Sequence, residues 1–206
     1  MQLTDSELFI FDWDGTLSTS TAIVRISNFL RPRYRKSHIL KHSGEYTTGI
    51  TRSVKAIERE NKGFAFLYDI YSFFVMPRLK EGAAELLDRL RSKGKKVAIF
   101  SDSENYRLLT EVKKLGMLGR VDLVLSASTI GYYKPDPTGL ILLSKKLKKA
   151  PKKAIYVGDM PSDIMTARFA GMRSCALGDG LSPYASLKDS HPDFLFRNIL
   201  AMLREI

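Results

Sequence analysis

Two aspartates two positions apart, Asp12 and Asp14, close an apolar run in Phe9-Ile10-Phe11-Asp12-Trp13-Asp14-Gly15-Thr16-Leu17. The run reads as a buried strand ending in a loop, because Gly15 permits backbone angles that other residues resist. Both carboxylates can then point into one site, where they repel each other unless a cation neutralises them or one takes a proton. A hard divalent cation such as Mg²⁺ would do this and would also hold a phosphate oxygen. In that setting Asp12 could attack phosphorus as a nucleophile while Asp14 handles the proton of the leaving group. Alone, the run is also compatible with a plain acidic Asp-Gly turn. A calcium loop would need a Glu at its twelfth position, and counted from Asp12 that position is Ile23.

Three further stretches offer groups for the same chemistry. Ser101 follows Val97-Ala98-Ile99-Phe100 and can hydrogen-bond a phosphate oxygen, helped by backbone N–H groups at the start of the next helix, although a simple helix cap would look the same. Asp102 comes next and is a further candidate in the substrate site, where its negative charge would weaken phosphate binding unless the carboxylate points away. Lys134, in Gly131-Tyr132-Tyr133-Lys134-Pro135-Asp136-Pro137, would hold its ammonium beside Asp12, with the prolines fixing the loop. In Gly158-Asp159-Met160-Pro161-Ser162-Asp163, Asp159 is placed to complete a metal shell with Asp12 and Asp14. Asp163, in the first turn of a helix, would orient water or the lysine, join the metal ligands, or simply complement the helix dipole.

These groups need a scaffold that carries them to one rim. From Leu79 onward the pattern alternates. A helix bearing Ala83, Leu86, Leu87 and Leu90 stops at Gly94, and Lys95 to Phe100 reads as a strand. The spacing then predicts a helix over 104–115, a strand over 121–125, a helix over 137–147, a strand over 154–157, a helix over 161–170, a strand over 173–177 and a last helix over 196–205. Strands alternating with helices imply a parallel sheet covered on both faces, with ligands beyond the carboxyl ends of the strands. Residues 18–77 break this alternation. They show no convincing strand, and ten Lys/Arg against four Asp/Glu place +6 of the chain's net +11 there. The expected organisation is therefore an α/β, Rossmann-like core of residues 1–17 and 78–206 with an inserted all-helical cap over 18–77. A basic cap after the catalytic loop could close over an anionic substrate.

The totals fit a packed globular chain: 206 residues, 44% of them hydrophobic, with no run of eighteen apolar residues. The acidic N-terminus lacks an apolar signal segment, so the expected location is the cytoplasm. The single cysteine, Cys175, cannot form an internal disulfide and is expected in the core. His38 and His42 could share a helix face, but Ile39 denies the zinc-protease pattern and no third ligand is evident. The lysine run from Lys145 to Lys153 would suit nucleic acid, and equally a solvated helix end.

Taken in order, Asp12-Trp13-Asp14-Gly15-Thr16, the Ser101 strand end, Lys134-Pro135, and Val157-Gly158-Asp159 through Asp163 with Ala170-Gly171-Met172 resemble the haloacid dehalogenase-like phosphohydrolases, in the phosphoglycolate phosphatase-like branch with a helical cap. The resemblance implies nucleophile and acid/base roles for Asp12 and Asp14, phosphate binding by Ser101 and Lys134, and Mg²⁺ as cofactor. Asp14 argues against dehalogenases and phosphonate hydrolases of that family, whose first motif lacks the second Asp. Gly49-Ile50-Thr51-Arg52 is similar to the substrate-contacting cap loop of a β-phosphoglucomutase, which makes Gly49 and Arg52 candidates for reading the leaving group. Asp102 stands where relatives often carry Asn.

The expected function is a Mg²⁺-dependent phosphatase for a small phosphorylated metabolite, working through an aspartyl phosphate, as a monomer or homodimer with no membrane partner. A phosphosugar mutase is the alternative enzyme. A non-catalytic anion- or nucleic-acid-binding protein on the same fold is the alternative of another class.

Overall fold

The computed structural model describes residues 2–19 and 76–206. Six strands form one sheet: β1 (Leu8–Phe11), β2 (Lys96–Ser101), β3 (Leu123–Ser126), β4 (Ala154–Gly158), β5 (Arg173–Leu177) and β6 (Phe194–Phe196). Their order is β3-β2-β1-β4-β5-β6, and every neighbouring pair is parallel. The helices that connect them are α1 (Ala83–Ser92), α2 (Asn105–Lys114), α3 (Ala127–Ile130), α4 (Thr138–Lys146), α5 (Pro161–Phe169) and α6 (Tyr184–Asp189), and α7 (Ile199–Leu203) closes the chain. No helix among the described residues is long and apolar enough to cross a membrane.

β1 sits in the middle because it is apolar on both faces, as a strand covered by helices on either side must be. Its alternate residues go to different cores. Phe9 and Phe11 join Val97, Ile99, Ile155 and Val157 against the buried stripes of α1, α2 and α7. Leu8 and Ile10 join Ala98, Phe100, Ala154 and Tyr156 against α4 and α5. Each fully buried side chain of this size is worth about 1.5–3 kcal/mol, so a one-residue slip of β1 would exchange its four apolar residues between the two cores. The chain winds from β1 outward to β3 and then crosses back to β4, so strand order reverses between β1 and β4. That reversal opens a crevice at their carboxyl ends, where open α/β sheets take ligands.

Several boundaries differ from the sequence expectation for identifiable reasons. The last helix begins at Ile199 rather than Phe196, because Asn198 caps it, its side chain accepting the Ala201 N–H at 2.9 Å. Phe194–Phe196 is instead a short edge strand paired with Cys175–Leu177. β3 starts at Leu123 rather than Val121, where the Asp122 side chain accepts the Val97 N–H at 2.9 Å. α3 and α6 are short helices in stretches where the spacing predicts no element. Cys175 is buried in β5, and burial pushes its thiol pKa far up, which keeps it a core residue.

The two described stretches are tied together where they face each other in sequence. Thr19 N donates to Arg78 O at 2.7 Å, Arg78 N donates to Thr19 Oγ1 at 2.9 Å, and Lys80 N donates to Leu17 O at 2.9 Å. Thr19 and Arg78 therefore lie side by side. Gly49 and Arg52, like His38 and His42, lie outside the described residues.

Candidate active site

Asp12 is the first residue beyond β1, and its N–H still donates to Val157 O at 2.8 Å, so the neighbouring strand fixes where it leaves the sheet. The loop then curls on itself: the Leu17 and Ser18 N–H groups both donate to Trp13 O, at 3.1 and 3.0 Å. Gly15 makes this possible with φ of 83°, a conformation that favours glycine. A side chain at Gly15 would also lie 2.4 Å from Asp159 Oδ2.

Across the crevice, the carboxyl end of β4 delivers Asp159 and the first turn of α5 delivers Asp163. Asp163 Oδ2 accepts the N–H groups of Asp159 at 3.0 Å and Met160 at 2.9 Å, which fixes the turn between strand and helix. Asp159 is held by Thr16 Oγ1–H at 2.8 Å and by Leu181 N–H at 2.6 Å. The loop after β5 closes over it so tightly that a Cβ on Gly180 would lie 2.2 Å from Asp159 Cβ.

Lys134 ties the two sides together. Its ammonium lies 2.9 Å from Asp12 Oδ1 and 2.6 Å from Asp163 Oδ1. Its backbone N–H donates to Asp102 Oδ1 at 3.1 Å, so the carboxylate that raised a concern beside a phosphate helps to hold the lysine loop. The Lys134–Pro135 peptide is cis. Burial alone would lower the Lys134 pKa, but Asp12 and Asp163 outweigh it and hold the group well above its ordinary value.

Asp12, Asp159 and Asp163 are each less than 5% exposed and offer carboxylate oxygens within 4.8 Å of one another. Three carboxylates against one ammonium leave two negative charges uncompensated. Burial, and then the Asp163 carboxylate, push the Asp159 pKa up to about 6; burial also raises that of Asp12 well above its usual range, against the pull of Lys134. An all-oxygen donor set with a surplus of two negative charges suits a hard divalent cation such as Mg²⁺. Lys134 forms ion pairs with Asp12 and Asp163, and both oxygens of Asp163 are engaged by it and by backbone N–H groups; the oxygens of Asp159 accept only from the neutral donors Thr16 Oγ1–H and Leu181 N–H, so its charge is the one most in need of a cation.

Asp14 faces another set of partners. Its Oδ1 accepts from Arg107 Nη1 at 3.0 Å, its Oδ2 from Arg107 Nη2 at 2.5 Å, and Ser103 Oγ also donates to Oδ2. Its carboxylate lies outside the metal-capable group of Asp12, Asp159 and Asp163. Ser101, at the end of β2, is 2% exposed and donates to Ser103 Oγ at 2.9 Å, so a chain of hydroxyls leads from Ser101 to Asp14. The structure thus brings Asp12, Lys134, Asp159 and Asp163 into direct contact, with Asp102 supporting the lysine loop and Ser101 and Asp14 in an adjoining network. Sequence reasoning missed Arg107, Ser103, Glu111 and Gly180. A Glu four residues after an Arg on a helix was visible, but that spacing is commonest on solvated faces.

The lysine run is partly engaged in the fold. Lys149 Nζ donates to Glu7 Oε2 at 2.8 Å and Lys153 Nζ to Glu7 Oε1, and these hydrogen bonds lower the Glu7 pKa to about 2.

Comparison with known proteins agrees with this architecture. Phosphoglycolate phosphatase of Nitrosococcus oceani is 31% identical over 125 residues, covering 59% of this chain and 54% of that protein. Phosphoglycolate phosphatase 1 of Pseudomonas aeruginosa is 25% identical over 214 residues, covering 95% of this chain and 78% of that one. The chain spans between 54% and 59% of the length of the first curated relatives it matches. Among solved structures, a predicted phosphoglycolate phosphatase from Haemophilus somnus superposes with a TM-score of 0.72 at 22% identity, covering 98% of both chains, a likeness of fold. Residues 9–177 match the family of haloacid dehalogenase-like hydrolases, a span that takes in Asp12, Lys134 and Asp163. The chain is a member of the haloacid dehalogenase-like hydrolase family.

Proposed function

We propose that this protein is a phosphatase for a small phosphate ester, with Asp12 as nucleophile. The observation that carries the reading is the buried contact of Asp12 with Lys134, 2.9 Å, inside a three-carboxylate group at the carboxyl ends of β1 and β4. Lys134 steers one Asp12 oxygen and supplies positive charge for the phosphoryl oxygens, which carry most of the charge in the transition state. Mg²⁺ held by Asp12 and Asp159 would screen the carboxylate–phosphate repulsion and polarise a phosphoryl oxygen.

In the first step an Asp12 oxygen forms a bond to phosphorus, the bond from phosphorus to the leaving oxygen breaks, and that oxygen takes a proton from Asp14. In the second, water attacks the aspartyl phosphate and gives a proton to Asp14. The Asp12–phosphorus bond breaks and inorganic phosphate leaves. Asp163 keeps Lys134 in place throughout, and Ser101 binds the phosphoryl group or sustains the hydroxyl chain to Asp14.

The paired departure and return at Thr19 and Arg78 supports residues 18–77 as an inserted cap, with 1–17 and 78–206 as the core. Its surplus of basic residues would attract an anionic leaving group, and Gly49 and Arg52 would read it. The relatives named phosphoglycolate phosphatase favour phosphoglycolate or a sugar phosphate as substrate.

The test is inorganic phosphate release from phosphoglycolate, sugar phosphates, nucleotides and pyrophosphate, with and without Mg²⁺, comparing the parent with Asp12→Asn. Release that requires both Mg²⁺ and Asp12 supports the reading, and the rank order names the substrate. Sugar phosphate isomerisation that needs a bisphosphate activator and releases no phosphate would replace the phosphatase with a mutase.

A further inference from the structure

Trp13, the single tryptophan of the chain, stands between the two aspartates of the loop and is fully buried. Its indole N–H donates to Glu111 Oε2 at 2.6 Å. Glu111, 1% exposed, accepts through Oε1 from Arg107 Nη1 at 3.2 Å, one helical turn back on α2. The same guanidinium grips Asp14 at both oxygens, at 3.0 and 2.5 Å, and donates to Ser103 Oγ. The Asp14 and Arg107 side chains are only 11% and 12% exposed, so solvent screens this pairing little. Arg107 is thus the hub of a connected group that ends on Asp14 on one side and on Trp13 on the other.

We infer that Arg107 is a positioning residue for Asp14 and that, through Glu111, it makes the environment of Trp13 report the orientation of the Asp14 carboxylate. The inference rests on the reading of Asp14 as the proton carrier. A planar guanidinium that meets both oxygens of a carboxylate fixes its plane as well as its distance; an ammonium, a point charge, leaves the plane free. To pass a proton to a leaving oxygen, one Asp14 oxygen must release its donor while the other stays held. Arg107 thereby turns a free rotation of the carboxylate into a swing about one fixed oxygen. Ser103 limits that swing, because its hydroxyl bonds the Oδ2 atom. Any such swing alters the Arg107–Glu111 contact, and the indole N–H on the other oxygen of Glu111 senses it.

The experiment compares the full-length parent with Arg107→Lys, Arg107→Gln and Ser103→Ala on two esters. One is p-nitrophenyl phosphate, whose leaving group departs with little help from an acid; the other is phosphoglycolate, whose alkoxide requires a proton. The Arg107 variants are expected to lose about 10- to 100-fold in kcat on phosphoglycolate, a share of the 10²–10⁴ that general acid–base catalysis supplies, and far less on p-nitrophenyl phosphate, with KM little changed. Arg107→Lys keeps the charge and is expected to fail to rescue. Ser103→Ala retains every charge of the group, so it carries the test if the Arg107 variants do not fold, with a smaller loss of the same selectivity. Equal losses on both esters, or a change in KM alone, overturn the inference.

The second readout needs no turnover. The Trp13 indole ¹H–¹⁵N signal is followed as Mg²⁺ and beryllium fluoride, a phosphoryl mimic, are added. It is expected to move in the parent and to start from a different position in Arg107→Lys; a signal indifferent to both overturns the coupling. A parent that releases phosphate from neither of these esters nor from any other in the panel overturns the phosphatase reading itself, whereas an active parent with unselective variants overturns this inference alone.

Discussion

Replacing Lys134 by methionine keeps the side chain out to its ε position and removes a cation held between two carboxylates. In the parent the Lys134 side chain is 5% exposed, and its ammonium lies 2.9 Å from Asp12 and 2.6 Å from Asp163. Without it, three buried carboxylates within 4.8 Å of one another have no counter-charge from this lysine. Breaking a buried pair by removing one partner costs about 3–5 kcal/mol, because the remaining charge stays desolvated. For a chain of this size that corresponds to a fall of about 6–20 °C in Tm, at about 2–4 °C per kcal/mol. Protonation relieves part of the loss. Burial and the Asp163 carboxylate already place the Asp159 pKa at about 6, so the penalty is full at pH 8 and shrinks towards pH 5. The assay is urea and thermal unfolding of parent and Lys134→Met in EDTA at both pH values, repeated with Mg²⁺. The divalent ion is expected to restore more stability to the variant than to the parent. A variant as stable as the parent at pH 8 in EDTA, or an equal loss at both pH values, would refute the reasoning.

Three further outcomes follow from the same geometry. The folded-state pKa of Asp159, about 6, lies above its ordinary 3.8, so between those values the folded protein binds more protons than the unfolded chain. The contribution of this group to metal-free stability therefore falls as pH rises through that window, while Mg²⁺ affinity rises, which calorimetric titrations from pH 4.5 to 7.5 would show. Gly180→Ala sets a Cβ against the Asp159 side chain, and its Mg²⁺ affinity is expected to fall about tenfold or more, as for other disturbances of the residues that orient metal ligands; an unchanged titration would mean that the loop yields freely. Thr16→Val keeps the shape and removes the 2.8 Å hydrogen bond to Asp159, for a loss of about 1–3 kcal/mol in urea unfolding without metal.

The amino-acid sequence by itself determined the alternation of strands and helices and the rim on which Asp12, Lys134, Asp159 and Asp163 stand. Both are local properties. An apolar run broken by an Asp and a Gly announces a buried strand and the loop at its carboxyl end, and repetition of that pattern places those loops on one edge. The stripe of Ala83, Leu86, Leu87 and Leu90 is buried as its spacing predicts. β6 escaped because three residues at a sheet edge carry too short a pattern, and the pairing with Cys175–Leu177 that defines them lies 19 residues away in sequence.

Only the tertiary structure decided which partners each acidic group keeps. Asp14 and Arg107 are 93 residues apart, and Trp13 and Glu111 are 98 apart. No local pattern distinguishes an Arg–Glu pair on a solvated helix from one whose helix is packed against the Asp12–Ser18 loop. The same holds for Asp102, whose charge looked costly beside a phosphate until the fold set it under the Lys134 N–H. Residue type and spacing say where a strand ends and which groups could react there. Distance, burial and the competition of neighbouring charges say which of those groups is held by which, and they exist only once the chain has closed on itself.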